Sequence, residues 1–308
     1  MFMKKLIKPA LLLMPCVLIF SSAHAQAAEE RYITPSEYPD NVYFGDAHVH
    51  TTMSLDAAAW GTTQTPEDSY RYARGEEVTS FKGWKTKLTR PLDWLVIADH
   101  SDGYDFTNMV AAGDPVIVKE ELGQRWHDML KSGGEEERRI VADEIVKGMG
   151  SGEVTIWDLG SPEMLAPGWK KSIAAAEKYN DPGSFTAFIA YEWSSAPGGD
   201  NLHRVVVYRD GADKASQTLP LTFWRASDPE DLWKTLQTYE DETGGKVLAI
   251  AHNGNWSSGR MFDVTRYNGK ALDKSYAETR MRWEPIYETT QIKGDGETHP
   301  FLSPTDEF

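Results

Sequence analysis

His48 and His50 stand one residue apart in the run Phe44-Gly45-Asp46-Ala47-His48-Val49-His50, after a short apolar stretch. Alternate side chains of an extended segment point to the same side, so the two imidazoles can meet one metal ion. Other metal-competent residues fall in similar places. Asp99 and His100 follow the apolar run 94–98, Glu192 follows 185–191, His252 follows 247–251, and His203 sits beside 205–208. A lone histidine at a strand end is more often a satisfied hydrogen-bonding group than a ligand. Five of them, accompanied by carboxylates, favour one shared site; only His24, His127 and His299 lie outside the set. Imidazole and carboxylate without sulfur suit zinc, manganese or iron. Two or three such divalent ions would activate water near neutral pH and neutralise charge on an attacked ester, which makes hydrolysis the natural reaction class. The zinc-peptidase pattern His-Glu-x-x-His does not occur.

For these groups to converge, the strands that carry them must end on one face. The short, aliphatic- and aromatic-rich runs 42–44, 94–98, 185–190, 205–208 and 247–251 predict buried strands. Helices are predicted over 66–74, 120–131, 135–148, 170–179 and 229–243. Strand and helix in alternation imply an α/β protein with a largely parallel sheet. In a closed parallel barrel, groups at the C-terminal strand ends share one face. The segment 101–183 is too long for a plain connection and predicts a helical insertion, either a lid or specificity region or a peripheral elaboration.

Lys4, Lys5 and Lys8, the apolar run 11–20 and Ala23-His24-Ala25 form the pattern of a secretory signal peptide over 1–25, followed by an irregular lead over 26–41. This predicts a periplasmic or secreted protein with no stable membrane insertion after cleavage. The sole cysteine, Cys16, lies inside that signal behind Pro15, which argues against a lipid anchor and leaves the mature chain without a thiol. Disulfides, cysteine nucleophiles and thiolate metal sites are thereby excluded. The formal charge of −15 would become about −18 on loss of the three lysines, and such a surface disfavours nucleic acid.

The ordered set Phe44-Gly45-Asp46-Ala47-His48-Val49-His50-Thr51, Ala98-Asp99-His100, Tyr191-Glu192, His203 and Ala251-His252-Asn253 resembles the polymerase and histidinol phosphatase (PHP) superfamily. Within it, the chain from about Asn41 onward resembles the secreted bacterial group DUF3604. The resemblance implies a distorted (β/α)7 TIM-like barrel of PHP type over 42–308 and a site of two or three divalent metals. His48 and His50 would bind the first ion, Glu192 would bridge to the second, His203 and His252 would complete the second, and Asp56 with His100 would hold a third. Asp99 would orient a neighbouring ligand or water, with Asp46 a rival to Asp56. The family's closing Asp-x-His-like motif has no match after His252; Glu297-Thr298-His299 is a weak stand-in, and an incomplete barrel with native chain missing beyond Phe308 is the expectation.

Arg204, Asn253 and Arg260 are candidates for substrate binding, since an arginine beside the site could pair with a phosphate. Asn255 and the indoles of Trp84, Trp193 and Trp256 are weaker candidates. The leading expectation is a metal-dependent phosphoesterase acting on a small phosphomonoester or phosphodiester, with Asp99 and Glu192 in catalytic roles. The alternatives are an amide, lactone or sulfate ester hydrolase and a non-catalytic metal-dependent binding module.

Overall fold

The run that carries the histidine pair forms the first strand, β1 (Gly45–Val49), so His48 lies within the strand and His50 just beyond it. The strand expected at 42–44 is displaced: Val42, Tyr43 and Phe44 are 73%, 67% and 53% exposed. Glycine begins β1 because a Cβ at position 45 would lie 2.1 Å from the Trp94 ring. The computed structural model describes residues 39–296, apart from Gly152 and Lys293. The expected signal peptide, most of the irregular lead, Glu297-Thr298-His299 and the chain end lie outside the described residues.

Further strands follow as β2 (Val78–Thr79), β3 (Lys85–Thr86), β4 (Trp94–Ile97), β5 (Thr186–Trp193), β6 (Arg204–Tyr208), β7 (Val247–Ala251), β8 (Ile286–Tyr287), β9 (Thr290–Gln291) and β10 (Gly294–Asp295). A six-stranded sheet has the order β1-β4-β5-β6-β7-β8, and β2–β3 and β9–β10 are two-stranded hairpins. The pairs β1–β4, β4–β5 and β7–β8 are parallel, but β6 is antiparallel to both β5 and β7. The largely parallel expectation therefore needs correction at β6. The link over 194–203 holds only a short 3-10 turn, too little chain for the helical crossover that parallel neighbours require. Reversal of β6 puts its start at the sheet end where the other strands finish. His203, which precedes its strand, thereby reaches the same face as the residues that follow theirs.

The sheet curls. Strands β1 and β8 occupy opposite edges, yet His48 Nδ1 lies 2.8 Å from Oε2 of Glu288, the residue after β8. Among the described residues the architecture is a mixed α/β half-barrel. Val96, Ala98, Ala190, Val205, Val207 and Ile250 form one apolar cluster within it. Ile97, Ile189, Tyr191, Trp193, Val206 and Ala249 belong to a second, larger core shared with the helices Pro66–Ala73, Pro162–Tyr179 and Pro229–Thr243. Each such buried side chain contributes about 1.5–3 kcal/mol relative to exposure. The helix Pro229–Thr243 starts sharply because the Asp228 carboxylate accepts the Glu230 N–H with proline at the first turn, and it stops at left-handed Gly244.

Within 101–183, the last helix, Pro162–Tyr179, packs on the sheet core through Leu165, Trp169 and Ile173. The remaining helices, from Phe106 to Ser151, build a separate core with Phe106, Val110, Ile117, Trp126, Val141 and Ile145. Leu55 joins that core from a short helix, Leu55–Ala59, which the sequence pattern does not announce. No helix among the described residues is long and apolar enough to cross a membrane.

Candidate metal centre

Glu192, 1% exposed near the end of β5, has a ring of imidazoles around its carboxylate. Going round, the centroid separations are 4.3 Å from His252 to His48, 4.9 Å to His50, 4.7 Å to His100, 5.6 Å to His203 and 5.7 Å back to His252. The two carboxylate oxygens face different pairs. Oε2 is 2.9 Å from Nε2 of both His48 and His50, whose Nε2 atoms are themselves 2.9 Å apart. Oε1 is 2.6 Å from His203 Nδ1 and 2.9 Å from His252 Nε2. Asp56, on the helix Leu55–Ala59, places Oδ1 3.4 Å from His50 Nδ1 and Oδ2 3.3 Å from His100 Nε2. The seven metal-ligand candidates read from the sequence thus come together, from five strand ends and one short helix.

The electrostatics suit a cation. Burial pushes the Glu192 carboxyl up, but His100, His252 and His48, with the His203 hydrogen bond, hold it well below the usual carboxylate range. Burial drives the His252 imidazole down to about 3 against the pull of Glu192, leaving it neutral with a lone pair to offer. For His48, burial is outweighed by Glu192 and Glu288, and for His50 by Asp56 and Glu192, so both lie above the ordinary imidazole value. Asp56 lies well below the carboxylate range: burial is overcome by His100 and His50. Five imidazoles at these separations cannot all carry charge. Ring nitrogens and carboxylate oxygens converging at 2.9 Å are a donor set that a divalent ion fits. The trios His48–Glu192–His252 and His50–His100–Glu192 are each tight enough to close on one ion.

Residues 37–308 match the family model described as a protein of unknown function, DUF3604. The chain belongs to the DUF3604 family. No curated protein and no solved structure matches it.

The supporting residues of this DUF3604 site divide sharply. Asp99 is fully buried and turned to the β1 side, where its carboxylate accepts the Thr51 N–H and hydroxyl at 2.5 and 2.8 Å. It anchors the turn next to His50, and burial raises it to about 6. Asp46 is exposed and accepts the His48 N–H at 3.0 Å, so its rivalry with Asp56 ends there. Arg204, placed by the alternation of β6 on the face opposite His203, is 1% exposed and donates to Glu284 at 2.9 Å and to the Leu202 carbonyl at 2.6 Å. Arg260 is held by Asp200 at 2.6 Å, and left-handed Asn253 bonds Asn201 and Gln291. Trp193 is buried and lies beneath the Arg204 guanidinium, whereas Trp84 and Trp256 are exposed.

Three partners escaped sequence reasoning in this DUF3604 chain. Glu288 backs His48 Nδ1, Ser54 backs His50 Nδ1 at 2.6 Å, and the Ser194 hydroxyl contacts His100 Nδ1. Glu288 does obey the pattern of a polar residue after an apolar strand. The strand before it, Ile286–Tyr287, is simply too short to register.

Proposed function

We propose that the chain is a metal-dependent hydrolase of the PHP type, exported through an N-terminal signal, that hydrolyses a small phosphomonoester or phosphodiester. The observation that carries this reading is the single buried carboxylate whose two oxygens each face a separate pair of imidazoles. His48 and His50 would hold one ion, His203 and His252 a second, and Glu192 both; Asp56 and His100 would hold a third. Divalent zinc, manganese or iron bound there would activate water near neutral pH and neutralise negative charge on the attacked ester.

The protein's own contribution is placement. Glu192 fixes the distance between the two halves, Glu288 and Ser54 orient the imidazoles of His48 and His50 from behind, and Asp99 holds the turn that follows them. Asp56, with a side chain 34% exposed, marks the open side from which an ester would approach. With Arg204 committed to Glu284 and Arg260 to Asp200, phosphate charge would fall chiefly to the ions. The same two ion pairs favour, as a second reading, an amide, lactone or sulfate ester hydrolase that needs no arginine.

Metal-loaded protein assayed on phosphomonoesters, phosphodiesters, amides, lactones and sulfate esters separates these readings. Turnover of a phosphoester that disappears in His50→Ala supports the first. Turnover confined to the other substrates supports the second, and metal binding without turnover of any substrate supports a binding module and ends both.

A further inference from the structure

We infer that Ser54 is a positioning residue: its hydroxyl fixes the proton of His50 on Nδ1, so that Nε2 is left to bind, and it ties the Asp56 helix to the loop of His100. The inference rests on the metal-centre reading for its functional meaning, but its chemical content is independent of it.

Ser54 is fully buried, and its Oγ has three polar neighbours: Asp56 Oδ1 at 2.7 Å, His50 Nδ1 at 2.6 Å and the His100 backbone N–H at 3.3 Å. A hydroxyl has one proton to give and two lone pairs to receive with. The backbone N–H of His100 can only donate. Asp56 Oδ1, which also accepts the Ala57 N–H at 2.6 Å, accepts the hydroxyl proton. One lone pair remains, and the His50 contact must therefore be an Nδ1–H donating to Oγ. The opposite nitrogen, Nε2, faces Glu192 Oε2 and His48 Nε2, each 2.9 Å away, and is the nitrogen from which an ion would displace any proton.

A second observation separates this from ordinary helix capping. Ser54 occupies the N-cap position of the helix Leu55–Ala59 with extended backbone, where serine normally accepts a helical N–H, yet its side chain makes no capping bond. Asp56 Oδ1 instead accepts the Ala57 N–H at 2.6 Å. The hydroxyl thus serves Asp56, His50 and the His100 N–H rather than the backbone of the helix. His48 has the matching arrangement, with Glu288 behind Nδ1 and Nε2 facing the same point. Glu288 stands directly behind His48 Nδ1, whereas behind His50 Nδ1 the Ser54 hydroxyl at 2.6 Å comes between the ring and Asp56 Oδ1, which is 3.4 Å away.

The test uses the full chain labelled with ¹⁵N-histidine, in metal-free and zinc-loaded forms, together with zinc titration against a chromophoric chelator. In both forms of the wild type, His50 Nδ1 is expected to carry a proton, with zinc on Nε2 when loaded. Ser54→Ala should weaken the zinc bound by His48 and His50 by about 10–100-fold while leaving the zinc at His203 and His252 within a few-fold. Ser54→Thr, which restores a hydroxyl, should recover most of the loss. A bare Nδ1 on His50 in wild-type protein overturns the inference, as does zinc affinity in Ser54→Ala equal to that of the wild type. Failure of the wild type to bind zinc at all counts against the metal-centre reading, and the metal-free histidine spectrum still decides the proton on His50. If both variants are unfolded, that wild-type spectrum decides alone.

Discussion

On the Oε1 side of Glu192, His203 and His252 directly flank β6 and β7, which pair in unbroken register from Arg204 opposite Ala251 to Tyr208 opposite Val247. On the Oε2 side, His48 and His50 come from β1, an edge strand whose register with β4 shifts between Asp46 and Val49. The first half is also underpinned by the buried Arg204–Glu284 pair, to which Trp233 and Arg280 add hydrogen bonds at 2.9 and 3.1 Å. The second half depends on partners that arrive from elsewhere: Glu288 from the opposite sheet edge, and Asp56 from a helix whose Leu55 is packed into the insertion core. One carboxylate therefore joins a half built by regular strand pairing to a half assembled from an edge, a turn and an inserted layer. The contrast teaches that ligands of one centre can have very different mechanical support, and that the assembled half should be the first to loosen.

The largest expected effect joins both halves. Glu192→Gln should lower hydrolytic activity by roughly 10³-fold, corresponding to several kcal/mol of lost charge stabilisation, and lower bound metal on both sides. Metal analysis showing loss on one side only would break the idea that the carboxylate is shared. Next, Glu284→Ala should destabilise the fold by about 3–5 kcal/mol in denaturant titration, because it leaves the Arg204 guanidinium buried and unpaired.

The same pair makes a pH prediction. Burial pushes the Glu284 carboxyl up, but Arg204, Arg280 and the Trp233 indole bring it below its ordinary value. A depressed folded-state value means the stabilisation is complete above the unfolded carboxylate range, near 4.3, and is lost as pH falls through the folded value. The melting temperature should therefore drop in acid below about pH 4.3, with a smaller drop in Glu284→Gln.

A smaller change sharpens the contrast between halves. Glu288→Gln keeps a hydrogen-bonding group behind His48 but removes the charge, and should weaken metal binding at the Oε2 side by about 10–100-fold, with a smaller effect on the Oε1 side, where Glu288 is 4.0 Å from His252 Nδ1. Calorimetric metal titration checks this. Smallest of all, Arg260→Ala removes a half-exposed ion pair with Asp200 and should shift stability by no more than about 1 kcal/mol. A large loss of substrate affinity in that variant would return Arg260 to the role first assigned to it.

What the sequence made legible follows the same division. The strands behind Trp94, Thr186 and Val247 and the helix Pro229–Thr243 declare themselves through dense apolar runs, a proline start and a glycine stop. Their ligands could be read because each lies at or shortly after the end of its apolar run. β1 was misplaced by three residues, since Tyr43 and Phe44 look like a strand core but are left at the surface, while Gly45 and Ala47 carry little apolar signal. Arg204 adjoins His203 in the chain, but neighbours along an extended strand take opposite faces, so its pairing with Glu284 could not be read from that adjacency. Ser54 and Glu288 depend on contacts made only after the sheet curls and the loop folds back, and no local spacing encodes that.

Anomalous diffraction at the zinc edge from zinc-soaked crystals tests the central claim most directly. Two peaks are expected beside Glu192, one at Oε2 with His48 and His50 and one at Oε1 with His203 and His252. Zinc bound away from Glu192, or no peak within ligand distance of either oxygen, would contradict the shared-carboxylate centre.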